Sequence, residues 1–353
     1  MAFYSKHARP LMVGLAVGVL SSTAATGLCG SINYSTLNTG TMSEPEKSQY
    51  AAFQANLIAS PYVKMTDVRE EWDPALNGGV DTPLLTPPPP TAETIVTGPN
   101  SGGVRVGFQP QSYSQVKTNS INEFDLASRA TQVRLAAFGV GSSSDPAIRG
   151  FGLDTVTITI GGDLSVWAPL AKPAQPYDSY AQANVAATYN LILQGVNWQN
   201  VPEVTRTFNL PLTLNTAGVE TVHNSISVQA FGPGSKNLYT WYGNLTLDQN
   251  ALRSAFGITD PEAVITQMSL SVASNISAVG VYGEGYAKVN NLGASVNGVA
   301  VQAVPEPPTI ILAGLGAVAV VANGYRRKKQ RRNEEADATG DETNETGAIA
   351  LTA

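Results

Sequence analysis

The clearest regularity along the chain is an alternation of apolar and polar residues with a period of two. In Asp154-Thr155-Val156-Thr157-Ile158-Thr159-Ile160 the apolar residues alternate with Thr, Gly161-Gly162 follows, and Leu164-Ser165-Val166-Trp167 comes next. This predicts two strands joined by a turn at the Gly pair, the strongest hairpin signal in the chain. The same period recurs at Tyr189, Leu191 and Leu193; at Leu210, Leu212 and Leu214; at Ile226, Val228 and Ala230; and at Met268, Leu270 and Val272. Ser, Thr, Asn or Gln occupies the other face each time. Strands with one dry and one wet side belong to antiparallel sheets, so the chain is expected to be mainly β. The economical body is an antiparallel, jelly-roll-like β-sandwich over residues 104–303.

Helical spacing appears only locally. Tyr50, Phe53, Leu57 and Ile58 form an apolar stripe behind a start signal of Ser43, Pro45 and Glu46, which predicts one helix in an N-terminal segment, residues 28–80. Asp248 is placed to cap a short helix over Gln249–Phe256, with Gly257 as its stop. Residues 81–103 hold Pro83, Pro87, Pro88, Pro89, Pro90, Pro99 and three Gly, and read either as a polyproline linker or as a rigid loop on the same domain.

The two ends break the alternation. Lys6 and Arg9 precede the ten-residue apolar run Leu11–Leu20, and small residues follow from Ser22 to Gly27, so residues 1–27 have the shape of a secretory signal peptide. Cys29 is read as incidental, because Leu28 stands where lipoprotein processing needs a small residue. At the other end Pro305, Glu306 and Pro307 precede the uncharged stretch Thr309–Ala322, and then come Arg326, Arg327, Lys328, Lys329, Arg331 and Arg332. A helix over the 17 residues from Thr309 to Tyr325 would rise about 25 Å, enough to cross a locally thinned bilayer once. Six cations beyond it place that end inside and the body outside.

A Pro-Glu-Pro triplet, a short apolar helix and an Arg-rich end, in that order over residues 304–332, resemble the PEP-CTERM sorting signal of exported bacterial proteins. The resemblance implies recognition of Pro305, Glu306 and Pro307 by an exosortase-type membrane enzyme, with the basic cluster as the membrane stop. It also implies an inner-membrane intermediate, delivery to the cell surface or extracellular matrix, and an association with exopolysaccharide. Such signals usually stop at the basic cluster, whereas residues 333–353 here add a tail with six acids and low hydrophobicity, expected to be disordered.

Charge and composition narrow the chemistry. The formal net charge is −6 and only 14% of residues are charged, which argues against nucleic acid as a partner. A single Cys excludes a disulfide framework, and His7 and His223 are the only imidazoles, so His-rich metal sites are excluded. His223 is expected at the start of a strand, and no nucleophile-elbow, P-loop or dinucleotide fingerprint accompanies it. Glu123, Asp125, Asp154, Asp163, Glu203 and Glu284 are the acids that glycoside chemistry would have to use. Trp167, Trp198, Tyr239 and Trp241 are the candidate glycan contacts, since aromatic rings stack on sugar faces; Tyr242 falls on the opposite face from Tyr239 and Trp241. The sequence therefore points to an exported, non-enzymatic structural or adhesive component with no cofactor. A carbohydrate-binding module or a secreted polysaccharide-active hydrolase or lyase is the alternative.

Overall fold

The computed structural model describes residues 30–38, 40, 42–72, 90–109, 112–117, 124–169, 179–302 and 323–332. The signal-like residues 1–27, the Pro-Glu-Pro triplet, the apolar stretch 309–322 and the acidic tail lie outside them. In chain order the elements are β1 (Gly30–Asn33), α1 (Glu44–Ala59), β2 (Val63–Trp72), β3 (Thr91–Gly98), β4 (Ser101–Phe108), β5 (Ser112–Lys117), β6 (Phe124–Val140), β7 (Ile148–Trp167) and β8 (Tyr180–Val196). There follow β9 (Gln199–Asn209), β10 (Leu212–Thr216), β11 (Val219–His223), β12 (Ser225–Phe231), β13 (Asn237–Asp248), α2 (Gln249–Phe256), β14 (Ile265–Val281) and β15 (Glu284–Gln302).

These strands form two mainly antiparallel sheets. A seven-stranded sheet runs β1-β2-β6-β14-β8-β12, with β9 also on β8; an eight-stranded sheet runs β11-β10-β13-β7-β15-β4-β3, with β5 also on β15. Alternation decides which side chains meet between them. In β12 the burial pattern alternates strictly, with Ile226, Val228 and Ala230 inside, and β8 repeats it through Tyr189, Leu191 and Leu193. Inner-face residues of both sheets join one hydrophobic core that includes Ile158, Ile160, Trp241, Leu270 and Val296. β14 departs from the one-wet-side expectation: Ser269 and Ser271 are buried on its outer face because side chains from the neighbouring strand cover them.

The predicted hairpin at Gly161-Gly162 is corrected by the structure. β7 runs unbroken through both glycines, which pair with Tyr242 and Trp241 of β13. The glycines serve space rather than a turn. A Cβ on Gly162 would collide with the Lys288 carbonyl and come within 2.9 Å of the Trp241 ring, so the bare backbone lets β15 and that ring close in. The hairpins that do form use positive φ elsewhere: Asn197 and Trp198 (50° and 62°) between β8 and β9, and Ala217 and Gly218 (50° and 83°) between β10 and β11. The Leu210, Leu212 and Leu214 alternation is likewise split, since Leu210 and Pro211 separate β9 from β10.

The expected linker is also corrected in part. Residues 91–98 are strand β3, and β4 begins at Ser101, with Thr94 opposite Val104 in register. Nor does residue 104 begin a separate sandwich, because β1 and β2 extend one sheet and β3 edges the other. The described residues through Val301 belong to one compact unit, and those from Gln302 onward to another.

Both predicted helices are present. Glu46 accepts from the Ser43 N–H at 3.0 Å and the Ser43 hydroxyl at 2.6 Å, bonds that hold its carboxyl below the usual carboxylate range. α1 buries Tyr50, Phe53 and Leu57, but Ile58 is 68% exposed and leaves the stripe. Tyr34 stacks on Tyr50 at 6.2 Å and lies 5.7 Å from Phe108, so α1 is held by aromatic packing across both sheets. In α2 the Asp248 carboxylate accepts from the Ala251 N–H at 2.8 Å, and Gly257 ends the helix at φ 68°.

Candidate functional site

The sequence-predicted aromatic contacts do not converge. Trp241 is fully buried under β13 and is one of the largest core side chains, so it is removed from the candidate glycan contacts. Tyr239 is half-buried against the same core. Trp198 sits in the β8–β9 turn, its ring filling the space beside Gly150 and lying 4.9 Å under the Arg149 guanidinium. Trp167 ends β7, seventeen residues beyond Gly150, which at about 3.3 Å per residue puts it roughly 55 Å from Trp198. Local alternation places each ring on a face, but strand length separates them.

The candidate acids are likewise dispersed. Asp163 accepts from Asn290 Nδ2 at 2.5 Å, Glu203 from Gln194 Nε2 at 2.9 Å, and Glu284 faces Lys236 Nζ at 3.1 Å. Burial, and then the charge of Asp248, push the Asp154 carboxyl above its ordinary value. Glu123 and the side chain of Asp125 lie outside the described residues. His223 closes β11 opposite Leu212 rather than opening a strand. Among the described residues no three His, Cys, Asp or Glu side chains are grouped to hold a metal ion.

A groove of about 480 Å³ does open on the outer face of the eight-stranded sheet, across β3, β4, β15 and β7. Two of its lining residues, Gly107 and Gly293, have no side chain. A Cβ on Gly107 would lie 2.8 Å from Thr91 Oγ1, and one on Gly293 would lie 2.8 Å from Thr159 Oγ1. Thr157, Thr159, Asn291 and Ser295 line it with hydroxyls and an amide, and Glu93 and Arg105 pair across one rim at 3.4 Å. Beyond Gly161 stands Tyr242, 38% exposed. Its hydroxyl donates to the Glu220 carboxylate, and this bond raises the phenol's pKa.

Sequence reasoning missed this groove. The Thr positions of β7 were legible as a wet face, and Tyr242 as opposite Trp241, but Asn291 and Gly293 belong to β15, a strand distant in sequence. Their approach to Thr159 depends on the pairing of β15 with β7, which residues 132 and 134 positions away do not announce.

The C-terminal unit presents a different feature. Residues 323–332 form a helix that carries Arg326, Arg327, Lys328, Lys329, Arg331 and Arg332, every residue of it exposed. Among the described residues no helix is long and apolar enough to cross a membrane, and the stretch 309–322 is not among them. Residues 303–328 match the PEP-CTERM protein-sorting motif. The match supports an exported protein sorted and processed by an exosortase-type enzyme. No curated protein matches the chain.

Proposed function

We propose that this protein is exported under the signal-like residues 1–27, held for a time by a single span over residues 309–322, and then processed and delivered to the cell surface or matrix. There its β-sandwich serves as a non-enzymatic structural or adhesive component associated with exopolysaccharide. The observation that carries the reading is the sorting-motif match over residues 303–328, which runs into a helix with six exposed cations. Cations at that point resist transfer across the bilayer and so orient the chain. Pro305 and Pro307 fix the preceding backbone in an extended form and keep Glu306 outside the span, where an enzyme can read it.

Replacing Glu306 with Ala tests the motif. The variant is expected to reach the membrane fraction and to accumulate there at its unprocessed size. Processing of that variant at the parent's rate would overturn the assignment of Glu306. The open groove on the eight-stranded sheet favours a second reading, a glycan-binding module, in which the same delivery serves recognition rather than scaffolding.

A further inference from the structure

We propose that the groove across β3, β4, β15 and β7 binds a chain of neutral polysaccharide, an assignment that rests on the exopolysaccharide reading of the body. A sugar ring is edged with hydroxyls, so its site needs close approach and side chains left to bond them. The glycines supply the first. With no Cβ at Gly107 or Gly293, the hydroxyls of Thr91 and Thr159 fold over the glycines instead of standing up from the sheet, and the volume of about 480 Å³ falls within the roughly 300–1,000 Å³ of small-ligand clefts.

Thr159 and Asn291 supply the second. Both are exposed, and among the described residues neither side chain is committed to a partner, so a hydroxyl and an amide remain for the ligand.

Charge selects the polymer. Glu93 and Arg105 neutralise each other at the rim. Residues 28–305 hold 13 Lys or Arg against 20 Asp or Glu, a net of −7, which repels an acidic chain and leaves a neutral one unopposed.

The test is native gel electrophoresis of the full-length protein through neutral and acidic polysaccharide fractions isolated from the matrix of the producing cells. The parent is expected to be retarded by the neutral fraction. A Thr159→Ala/Asn291→Ala double variant is expected to lose at least about tenfold in affinity, equivalent to about 1.4 kcal/mol. Phe231→Ala, an exposed ring on the other sheet, serves as the control and should bind like the parent. Thermal melts establish that the variants remain folded. If the parent is retarded and the double variant is retarded equally, the groove assignment falls while the association with polysaccharide stands. Retardation by the acidic fraction alone overturns the neutral-chain assignment, and a parent that passes every fraction freely overturns both the site and the reading beneath it.

Discussion

On the seven-stranded sheet, Tyr180 donates to Gln182 at 2.6 Å, Gln182 donates to Asn184 at 2.8 Å and to Ser227 at 2.9 Å, and Asn184 donates to Ser277 at 3.0 Å. Farther along the same face Thr207 donates to Asn190, which donates to Ser271, and Ser269 donates to Gln194. On the eight-stranded sheet the same residue types line the groove, yet Thr159 and Asn291 spend no bond on each other. The first face is a closed network, its polar groups satisfied from strand to strand, and it contributes stiffness. The second is an open set whose donors and acceptors face water, with Thr91 lying over Gly107 and Thr159 over Gly293. Polar composition alone therefore does not mark a binding face; what matters is whether the sheet has already consumed the hydrogen bonds.

The largest expected effect breaks the frame that holds the open face. Trp241 lies fully buried beneath it, so Trp241→Ala is expected to cost about 3–5 kcal/mol in urea unfolding and to erase polysaccharide retention along with the fold. Next comes pH. Tyr34 donates to Glu70 at 3.0 Å inside the aromatic cluster, and burial pushes both the phenol and the carboxyl above their ordinary values. A group whose pKa is raised on folding favours the folded state in its protonated form. Stability is therefore expected to be highest at acid pH for this pair, to fall as pH rises above the ordinary carboxyl range, and to fall again above about 10, where an unfolded tyrosine ionises. Glu70→Gln should remove the first decline, as read from melting temperature against pH.

Two smaller effects test the comparison directly and should run in opposite directions. Asn184→Ala strips the closed face of two bonds and leaves Gln182 and Ser277 short of partners, so it is expected to cost about 1–3 kcal/mol while leaving polysaccharide retention untouched. Asn291→Ala is expected to change stability by less than about 0.5 kcal/mol and to weaken retention. If both variants moved stability alone, the faces would differ in geometry but not in use.

Much of the fold was legible because local rules governed it. The alternation in β8 and β12, the Ser43 and Glu46 start of α1, and the Asp248 and Gly257 ends of α2 are each set within a few residues. What escaped depended on distant neighbours. Gly161-Gly162 looked like a turn, since a Gly pair serves equally well where two backbones must approach, and only the position of Lys288 distinguishes the two. Thr91–Gly98 looked like linker because its Pro-rich approach outweighed an edge strand that takes its structure from distant partners, β4 and the Asn56 amide of α1. The aromatic candidates do not meet at one place for a related reason. A strand of 20 residues carries rings such as Trp167 far from Trp198, and alternation reports the face but not the distance. The groove needed β15 beside β7, whereas the sorting motif needed no tertiary structure and could be read directly.

Either face meets a matrix only if the body leaves the cell, so the address at residues 303–328 is the claim on which the account turns. It is tested by mass spectrometry of both termini of the protein purified from the native envelope and from the culture fluid. The account predicts a C-terminus near residues 305–308 with the apolar stretch and tail removed, and an N-terminus close to residue 27. An intact Ala353 found in the membrane fraction alone would contradict it, leaving an ordinary single-span anchor and no delivery to the matrix.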